Sequence, residues 1–520
     1  MISFLLSLII FLFSGIGILR LVQLKDYFFP SLWAHFDYPS SYVIFFRKRE
    51  LLLILLWLIV LIFSILFSKI SITNNSLVFL LVILLVLVYL RKEQIKNIKW
   101  NLKGIFIFSL IILINARLLN LTNNDLAIII LLATTAIQFS ITIFSVYLAN
   151  ILTKIYSYFL FKKAKNKIIS WLNKDKKRMV IGLTGSYGKT STKEIISHLL
   201  QSKFKILKSP LRLNAEIGLA KFILENNLEN YEIIILELGA RQIGEIEQMV
   251  DIFHPKCTFL TGLAPQHIAT FGSFENIIKG KLEIFKKTIP DGLAFLNGND
   301  PFVRKIFDDL PIVKKYLYGH HLGHFYCKDE IFTLDGTEFT FVYPDGEIRL
   351  KTNLVGSQFL ENLIGALALC YLLGIKPDQI KENLLNFKLL PNQFELVKKE
   401  NPLIINDSYN ANIVGVKKEI EFFNKIFSGK KILIFAGIIE LGIETEDIYK
   451  ELIDYFKNFD LVILTFKDYT DIFINELKEK IVLYQGQKLL ELLTNFELEN
   501  LGILILGRIP ERLLNEIKKL

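Results

Sequence analysis

Hydrophobic positions are distributed unevenly along this chain of 520 residues. Before residue 160, long runs are apolar on every side rather than on one helical face, and they contain almost no charge. A helix that crosses a bilayer needs about 20 apolar residues. We therefore predict a membrane region of about five transmembrane helices over residues 1–160. The runs are Ile2–Leu19, Leu51–Phe67, Leu77–Leu90, Gly104–Leu119 and Leu126–Leu148.

The charges between these runs predict a topology. Three segments rich in Lys and Arg alternate with two that contain neither, so the positive-inside rule places the basic segments in the cytosol. We expect a multi-pass protein of the inner (cytoplasmic) membrane, with its N-terminus outside, a basic linker over 161–177 and everything later in the cytosol. The net charge of +10 arises partly from these segments. It indicates anionic membrane lipid as a partner, rather than nucleic acid. The expected membrane location adds membrane-bound enzymes as candidate partners.

From residue 178 onward the pattern changes, and short apolar strands alternate with amphipathic helices. This alternation is typical of a parallel α/β sheet. Turn signals within 330–350 add β-hairpins, and the pattern restarts near Leu403. We predict a P-loop parallel-sheet ATPase domain over 178–390 and a smaller, Rossmann-like α/β domain over 391–520. The predicted strands include Tyr231–Leu236, Cys257–Thr261, Leu293–Asn297, Leu403–Ile405, Lys431–Ala436, Leu461–Thr465 and Gly502–Leu506.

A glycine-rich turn follows the first strand of this region. Gly182–Thr192 reads Gly-Leu-Thr-Gly-Ser-Tyr-Gly-Lys-Thr-Ser-Thr and precedes a helical segment. Strand, glycine loop and helix together favour phosphate binding, because backbone N–H groups at a helix start point at an anion. Leu183 occupies the place of the first glycine of the strict P-loop spacing. The predicted nucleotide-binding residues here are Gly185, Ser186, Gly188, Lys189, Thr190 and Ser191.

Three further polar residues follow the phosphate loop, and one of them is a metal candidate from its position alone. Glu237 ends a predicted strand, and a carboxylate beside a phosphate loop suits Mg²⁺. His267 follows the next strand, and Lys281 lies on a predicted helix. The alternative for Glu237 is a strand-end charge in water, which is the less favoured interpretation. Taken singly, His267 is an ordinary histidine and Lys281 a solvated lysine.

Taken together, the motifs resemble the Mur ligases, which are ATP-dependent amide-forming enzymes of peptidoglycan synthesis. The resemblance extends over residues 178–510, and within the family it favours the members that add D-alanyl-D-alanine. The motifs that carry it are Thr184–Thr192, Glu237–Ala240, Gly244–Ile246, His267, Thr270–Ser273, Lys281–Ile284, Asp407–Asn412 and Glu440–Gly442.

The resemblance implies roles for the matching positions. Lys189 and Thr190 would hold ATP phosphates and a first Mg²⁺, while Glu237, His267 and a carbamylated Lys281 would bind a second Mg²⁺. The remaining implied contacts are Asn214 near the γ-phosphate and acyl group, Asn297 at the adenine, and Asp407 and Asn410 at the nucleotide and incoming amine. The implied substrates are a UDP-N-acetylmuramoyl (UDP-MurNAc) tripeptide and D-Ala-D-Ala, joined through an acyl phosphate.

The sequence departs from the family pattern in several places, and no counterpart of the family's uridine-nucleotide-binding domain is visible at the front. Alternative functions are an amide ligase for another polymer such as poly-γ-glutamate, a membrane transporter driven by a P-loop ATPase, and an inactive membrane scaffold. The departures are Ala215, Gln358, Gln393, Ile413 and Leu506–Arg508.

Overall fold

The computed structural model divides the chain into two compact units, Met1–Tyr158 and Phe159–Leu520. Four of the five predicted transmembrane runs lie outside the described residues, and only the end of the fifth lies within them. The structure describes residues 138–286, 292–312, 314–387, 393–398, 402–409, 411–438, 441, 444–493 and 496–520.

The first described element is helix α1, Gln138–Leu172. Lysines interrupt its apolar sequence at Lys154 and again from Lys162 onward. Searching the described residues finds no helix with both the length and the hydropathy that a bilayer crossing requires. For the part of the chain that the structure describes, this finding contradicts the predicted multi-pass localisation in the inner membrane. Membrane lipid and membrane-bound enzymes are left without support as partners.

The second half of α1 occupies much of the stretch for which the sequence predicted a basic linker. Five of its apolar side chains from Leu160 onward are buried in the core, and the Trp171 indole nitrogen donates to the Tyr231 carbonyl at 3.3 Å. Lys167 reaches the carbonyls of Leu224 and Asn226 at 2.9 and 2.8 Å. The lysines thus lie on one face of a packed helix rather than in a flexible segment. The buried side chains are Leu160, Phe161, Ala164, Ile168 and Trp171.

A nine-stranded sheet forms the central part of the second unit, with strand order β2-β3-β1-β4-β5-β6-β7-β8-β9. The strands from β2 to β7 in this order pair in parallel, and β7, β8 and β9 pair antiparallel. The central strands are apolar throughout because helices cover both faces. Their bounds are β1 Met179–Thr184, β2 Ile206–Lys208, β3 Ile233–Glu237, β4 Cys257–Leu260, β5 Leu293–Asn297, β6 Lys315–His320, β7 Phe325–Thr333, β8 Gly336–Tyr343 and β9 Gly346–Thr352.

The helices of this part follow the strands as crossovers. Ser273 and Asp300 cap two of them, since their side chains accept backbone N–H groups of the first turn. The bounds are α2 Lys189–Leu200, α3 Glu216–Glu225, α4 Glu245–Phe253, α5 Ile268–Phe271, α6 Phe274–Leu282, α7 Pro301–Phe307, α8 Ser357–Leu372 and α9 Pro377–Leu385. Short 3₁₀ turns occur at Leu228–Asn230 and Glu283–Phe285.

A six-stranded sheet follows, with order β10-β11-β15-β12-β13-β14, in which only β10 pairs antiparallel. Its strands are β10 Glu395–Lys398, β11 Leu403–Asp407, β12 Lys430–Phe435, β13 Leu461–Leu464, β14 Ile481–Leu483 and β15 Leu501–Leu506. Its helices are α10 Ile413–Ile426, α11 Thr445–Phe456, α12 Thr470–Leu477, α13 Leu489–Leu492 and α14 Glu511–Ile517, with 3₁₀ turns at Lys478–Lys480 and Leu498–Asn500.

The predicted α/β organisation with parallel sheets is confirmed. The strand Leu293–Asn297 has the predicted bounds, and the other predicted strands are shifted by only one or two residues at their ends. These strands were predictable because each is a continuous apolar run that is buried on both faces.

Candidate functional site

The phosphate loop lies between neighbouring strands at their carboxyl ends. β1 pairs with β3 on one side and with β4 on the other, so the residues after all three strands come together. In open parallel sheets, ligands bind at this edge where the strand order reverses. Glu237, the last residue of β3, pairs with Leu183 of β1.

The backbone of the phosphate loop lies close to the side chain of Asn362. Gly188, which precedes α2, has a φ of 77°. A Cβ atom added there would lie 2.6 Å from the Asn362 side-chain oxygen, so the loop needs a glycine at this position. The first N–H groups of the 12-residue helix α2 are thereby available to an anion.

Lys189 and Thr190 begin α2 and contact different partners. The Lys189 ammonium donates to the Gly185 carbonyl at 2.6 Å, within its own loop. Desolvation lowers the pKa of Lys189, and Glu237 only partly opposes this effect. The Thr190 hydroxyl donates to the Glu237 carboxylate at 3.0 Å. The structure therefore joins two of the predicted oxygen ligands at the mouth of the phosphate loop.

Sequence reasoning missed Lys193, which is fully buried one turn into α2. Its ammonium donates to the Ser209 carbonyl at 2.9 Å and lies 3.6 Å from the Glu237 carboxylate. The Glu237 carboxylate is 4% exposed, and this neighbouring cation offsets the cost of burying it. The signal in the sequence was weak, because Lys193 lies between Thr192 and Glu194, and a lysine between polar residues of a helix is usually exposed.

Lys281 lies in the last turn of α6 and is 4% exposed. Burial, with the charge of Lys189 as the next cause, lowers its pKa to about 7, although Glu245 and Glu237 favour the charged form. The lowered pKa favours the neutral, nucleophilic amine of Lys281 over the ammonium form of an ordinary lysine.

Glu283 was also missed as a site residue. Its carboxylate is 1% exposed and accepts the Gly244 N–H at 2.8 Å and the Glu247 N–H at 3.2 Å, at the start of α4. The Glu283 carboxylate therefore binds the N-terminus of α4, where the helix dipole stabilises a negative charge. This contact ties the segment after β3 to the helix that carries Lys281.

Asn214 and His267 lie in loops near these strands. The Asn214 carbonyl accepts the Gly239 N–H at 2.8 Å, and a Cβ on Gly239 would lie 2.9 Å from the Asn214 side-chain carbon. Asn214 therefore lies directly beside the segment that follows Glu237. His267 has a φ of 62° and precedes α5, with a half-buried imidazole.

Asn297 ends β5 and is completely buried. Its amide donates to the Thr261 carbonyl at 3.0 Å and to the Glu361 carboxylate at 2.9 Å. Glu361, which sequence reasoning missed, also accepts from Lys418 of α10. This chain of contacts links the central sheet to the C-terminal sheet.

Asp407 ends β11 and lies beside Glu419 of α10. Burial raises the pKa of Asp407, and burial together with Asp407 raises the pKa of Glu419 well above that of an ordinary glutamate. The two carboxyl groups share a hydrogen bond, and the raised pKa of Glu419 favours Glu419 as its donor and Asp407 as its acceptor. Nearby, the Arg212 guanidinium lies over the Tyr409 ring, 5.6 Å from its centre.

Several predicted residues cannot be placed. Asn410, Glu440 and Gly442 lie outside the described residues, as does the side chain of Gln358. Gln393 is 6% exposed, and its side-chain oxygen has no hydrogen-bond partner among the described residues. Arg508 donates to the Tyr409 carbonyl at 3.1 Å.

Comparison with known proteins identifies two consecutive family models. The Mur ligase middle domain matches residues 183–370, and the glutamate ligase domain of the Mur ligases matches residues 394–497. The UDP-N-acetylmuramoyl-tripeptide–D-alanyl-D-alanine ligase of Escherichia coli (strain K12) is 30% identical over 286 residues. That match covers 54% of this chain and 63% of the relative, so the chain spans under two thirds of the relative's length.

Two solved structures are similar over a larger share of the chain. MurF from Acinetobacter baumannii matches with a TM-score of 0.64 at 22% identity, covering 70% of this chain and 81% of the other. MurF from Thermotoga maritima in complex with ADP matches with a TM-score of 0.61 at 27% identity, covering 70% and 83%. With both domain models in their order, the chain belongs to the Mur ligase family.

Proposed function

We propose that this protein is an ATP-dependent, ADP-forming peptide ligase that adds D-Ala-D-Ala to a UDP-MurNAc tripeptide. The observation that carries the proposal is the contact of Thr190 with Glu237 beside Lys189 and the buried Lys281. The similarity to D-alanyl-D-alanine ligases supports this choice of substrates over another amide polymer. It also favours a ligase over a transporter motor or an inactive scaffold.

The residues around Glu237 fit a divalent cation. The Thr190 hydroxyl and the Glu237 carboxylate present hard oxygen ligands next to each other, and His267 follows the neighbouring strand. Bound Mg²⁺, two ions in this proposal, would neutralise charge on the phosphates of ATP. Gly185, Ser186, Gly188 and Ser191 would contribute to the phosphate cradle.

Lys281 suits carbamylation because its lowered pKa makes the neutral amine available. The amine nitrogen would attack the carbon of CO₂, form an N–C bond and release one proton to solvent. The resulting carbamate is an anionic oxygen ligand, whereas an ammonium would repel a cation. Burial among Glu237, Glu245 and Lys189 is what favours this modification at Lys281 over exposed lysines of the chain.

The reaction would proceed in two displacements. The tripeptide carboxylate oxygen attacks the γ-phosphorus of ATP and ADP leaves, with Lys189 oriented toward the transferring phosphoryl group and Asn214 near the acyl group. The amine of D-Ala-D-Ala then attacks the acyl carbon and phosphate leaves. Asn297 would lie at the adenine edge. Asp407, with Asn410, would pair with the incoming ammonium and accept its proton.

The test is ADP release by the purified full chain with UDP-MurNAc tripeptide and D-Ala-D-Ala. Glutamate replaces the dipeptide in a parallel reaction that tests the alternative polymer.

Lys281→Ala should abolish turnover, and a short-chain carboxylic acid should partly restore it by supplying the missing oxygen ligand. Lys279→Ala, an exposed lysine on the same helix, is the matched control and should keep full activity. An active Lys281→Ala variant without rescue agent would contradict the carbamate, and ADP release only with glutamate would contradict the substrate.

A further inference from the structure

A second group of chemically reactive side chains lies on β6 and β7. His320, Cys327 and Glu330 bring one ligand atom each to within 4.8 Å of one another. We propose that these three residues form a zinc site of the protein. The proposal depends neither on ATP nor on the ligase reaction.

The sheet register brings the first two ligands together. His320 of β6 and Cys327 of β7 are direct partners in the parallel pairing of these strands. Side chains of paired residues point to the same face of a sheet. The register is held at this point because the His321 N–H donates to the Cys327 carbonyl at 2.9 Å and the His320 N–H donates to the Asn299 side chain at 2.7 Å.

An irregularity in β7 adds the third ligand. In a regular strand, Glu330 would point to the face opposite Cys327, because it lies three positions further along the strand. The pairing with β8 shifts between Lys328 and Ile331, and Asp329 adopts a φ of 56°. A bulge of this kind re-aims the following side chains, which turns Glu330 to the face of Cys327 and leaves Ile331 54% exposed.

The ligand atoms are buried and incompletely paired. The Glu330 side chain is 10% exposed and that of His320 is 19% exposed. The His320 Nε2 atom and the Glu330 Oε1 atom have no hydrogen-bond partner among the described residues. The His320 Nδ1 atom lies 4.0 Å from Glu330 Oε1. Buried polar atoms without partners are costly, and a cation between the imidazole and the carboxylate would satisfy the Glu330 oxygen and, with the ring turned over, the His320 Nε2 atom. Cys327 is fully buried beside them.

The donor set selects the metal. One sulfur, one imidazole nitrogen and one carboxylate oxygen suit Zn²⁺, whereas Mg²⁺ and Ca²⁺ take oxygen ligands. Ligands of one tetrahedral zinc ion lie about 3.5 Å apart, so small side-chain rotations would complete the site. His321, whose Nε2 atom lies 3.4 Å from the Glu330 carboxylate, is within reach as a fourth ligand.

The experiment uses tag-free, metal-stripped, reduced full-length protein titrated with Zn²⁺ and separately with Co²⁺. We expect one tightly bound Zn²⁺ per chain and, with Co²⁺, a thiolate-to-metal charge-transfer band. An ion held at the phosphate loop has only oxygen and nitrogen ligands and gives no such band, so the two sites are distinguishable. Cys327→Ala should remove the band, and Glu330→Gln should weaken Zn²⁺ binding at least tenfold.

The chain supplies matched controls, because Cys257 and Cys370 are equally buried free cysteines. Cys257→Ala and Cys370→Ala should leave the band and the Zn²⁺ affinity unchanged. Circular dichroism establishes that each variant is folded, and Glu330→Gln tests the site without touching the core cysteine. Absence of the band in the folded wild-type protein, or its persistence in Cys327→Ala, overturns the proposal, as does an unchanged affinity in Glu330→Gln.

Discussion

Beside their carboxyl ends, the two sheets of this protein bury ionisable groups of opposite type, lysines at the central sheet and carboxyl groups at the C-terminal sheet. At the central sheet, burial lowers the pKa values of Lys189 and Lys281, with Glu237 as the nearby opposing charge. At the C-terminal sheet, burial raises the pKa values of Asp407 and Glu419. In both sets, burial removes the ionisable groups from water, and the nearby opposite charges are too few to restore ordinary pKa values.

This difference indicates what each sheet is prepared to bind. Buried lysines beside a phosphate loop are stabilised when an anion arrives, and a buried carboxylate pair is stabilised by a cation or an ammonium. The proposed ligase requires both, because ATP brings the anion and the dipeptide brings the ammonium. Glu361 and Lys418 connect the two regions through one ion pair.

The largest effect is expected from removing the cation of the central sheet. Lys189→Ala should lower the rate of ADP formation on the order of 10³-fold, because charge on the transferring phosphoryl group is then poorly neutralised. Steady-state kinetics measure this loss. Lys205→Ala, at an exposed position, serves as control. A loss below tenfold would mean that Lys189 does not contact the phosphates.

A smaller and more selective effect is expected at the C-terminal sheet. Asp407→Asn should raise KM for D-Ala-D-Ala about 10- to 100-fold, the value of one hydrogen bond to a charged group, and leave KM for ATP nearly unchanged. Asp471→Asn, an exposed residue of the same domain, is the control. An equal increase in both KM values would place Asp407 at the nucleotide instead.

The opposite charges also predict opposite pH dependences of stability. The pKa of Glu419 is raised in the folded state, so its stabilising contribution is present at acidic pH and is lost as pH rises through the folded pKa. The advantage of Glu419→Gln over the wild type should therefore grow from pH 5 to pH 8, by at most about 1.4 kcal/mol per pH unit. Urea unfolding measures this difference.

Lys281 should behave in the reverse sense. Its folded pKa of about 7 lies below its unfolded value, so the folded state loses the proton first and stability rises with pH above 7. The stability advantage of Lys281→Met should accordingly shrink from pH 7 to pH 10 in CO₂-free buffer. Parallel trends for Lys281→Met and Glu419→Gln would contradict the opposite-charge description.

The smallest effect concerns the connection between the regions. A double-mutant cycle with Glu361→Gln and Lys418→Met should give a coupling energy of about 1 kcal/mol in unfolding, because Glu361 is buried and Lys418 is only partly exposed. The same cycle on the exposed pair Glu338 and Lys351 should give less than about 0.5 kcal/mol. Equal couplings would mean that the linking pair is solvated.

The sequence was sufficient wherever the determining pattern is local. The strands after residue 178 are continuous apolar runs, and Gly188, Lys189 and Thr190 are fixed by the spacing of one loop. Glu237 could be proposed because it directly ends a strand. The early apolar runs are also local patterns. A membrane location does not follow from them directly, and this prediction was wrong for the described part of the chain.

Tertiary structure decided everything that depends on burial or on distant partners. Only the packed structure shows that burial lowers the pKa of Lys281 to about 7 and that the Lys193 ammonium lies beside the Glu237 carboxylate. Glu361 contacts Asn297 from 64 residues away, and a single bulge turns Glu330 toward Cys327. Desolvation and long-range pairing depend on the whole fold, whereas a sequence window records only neighbours along the chain.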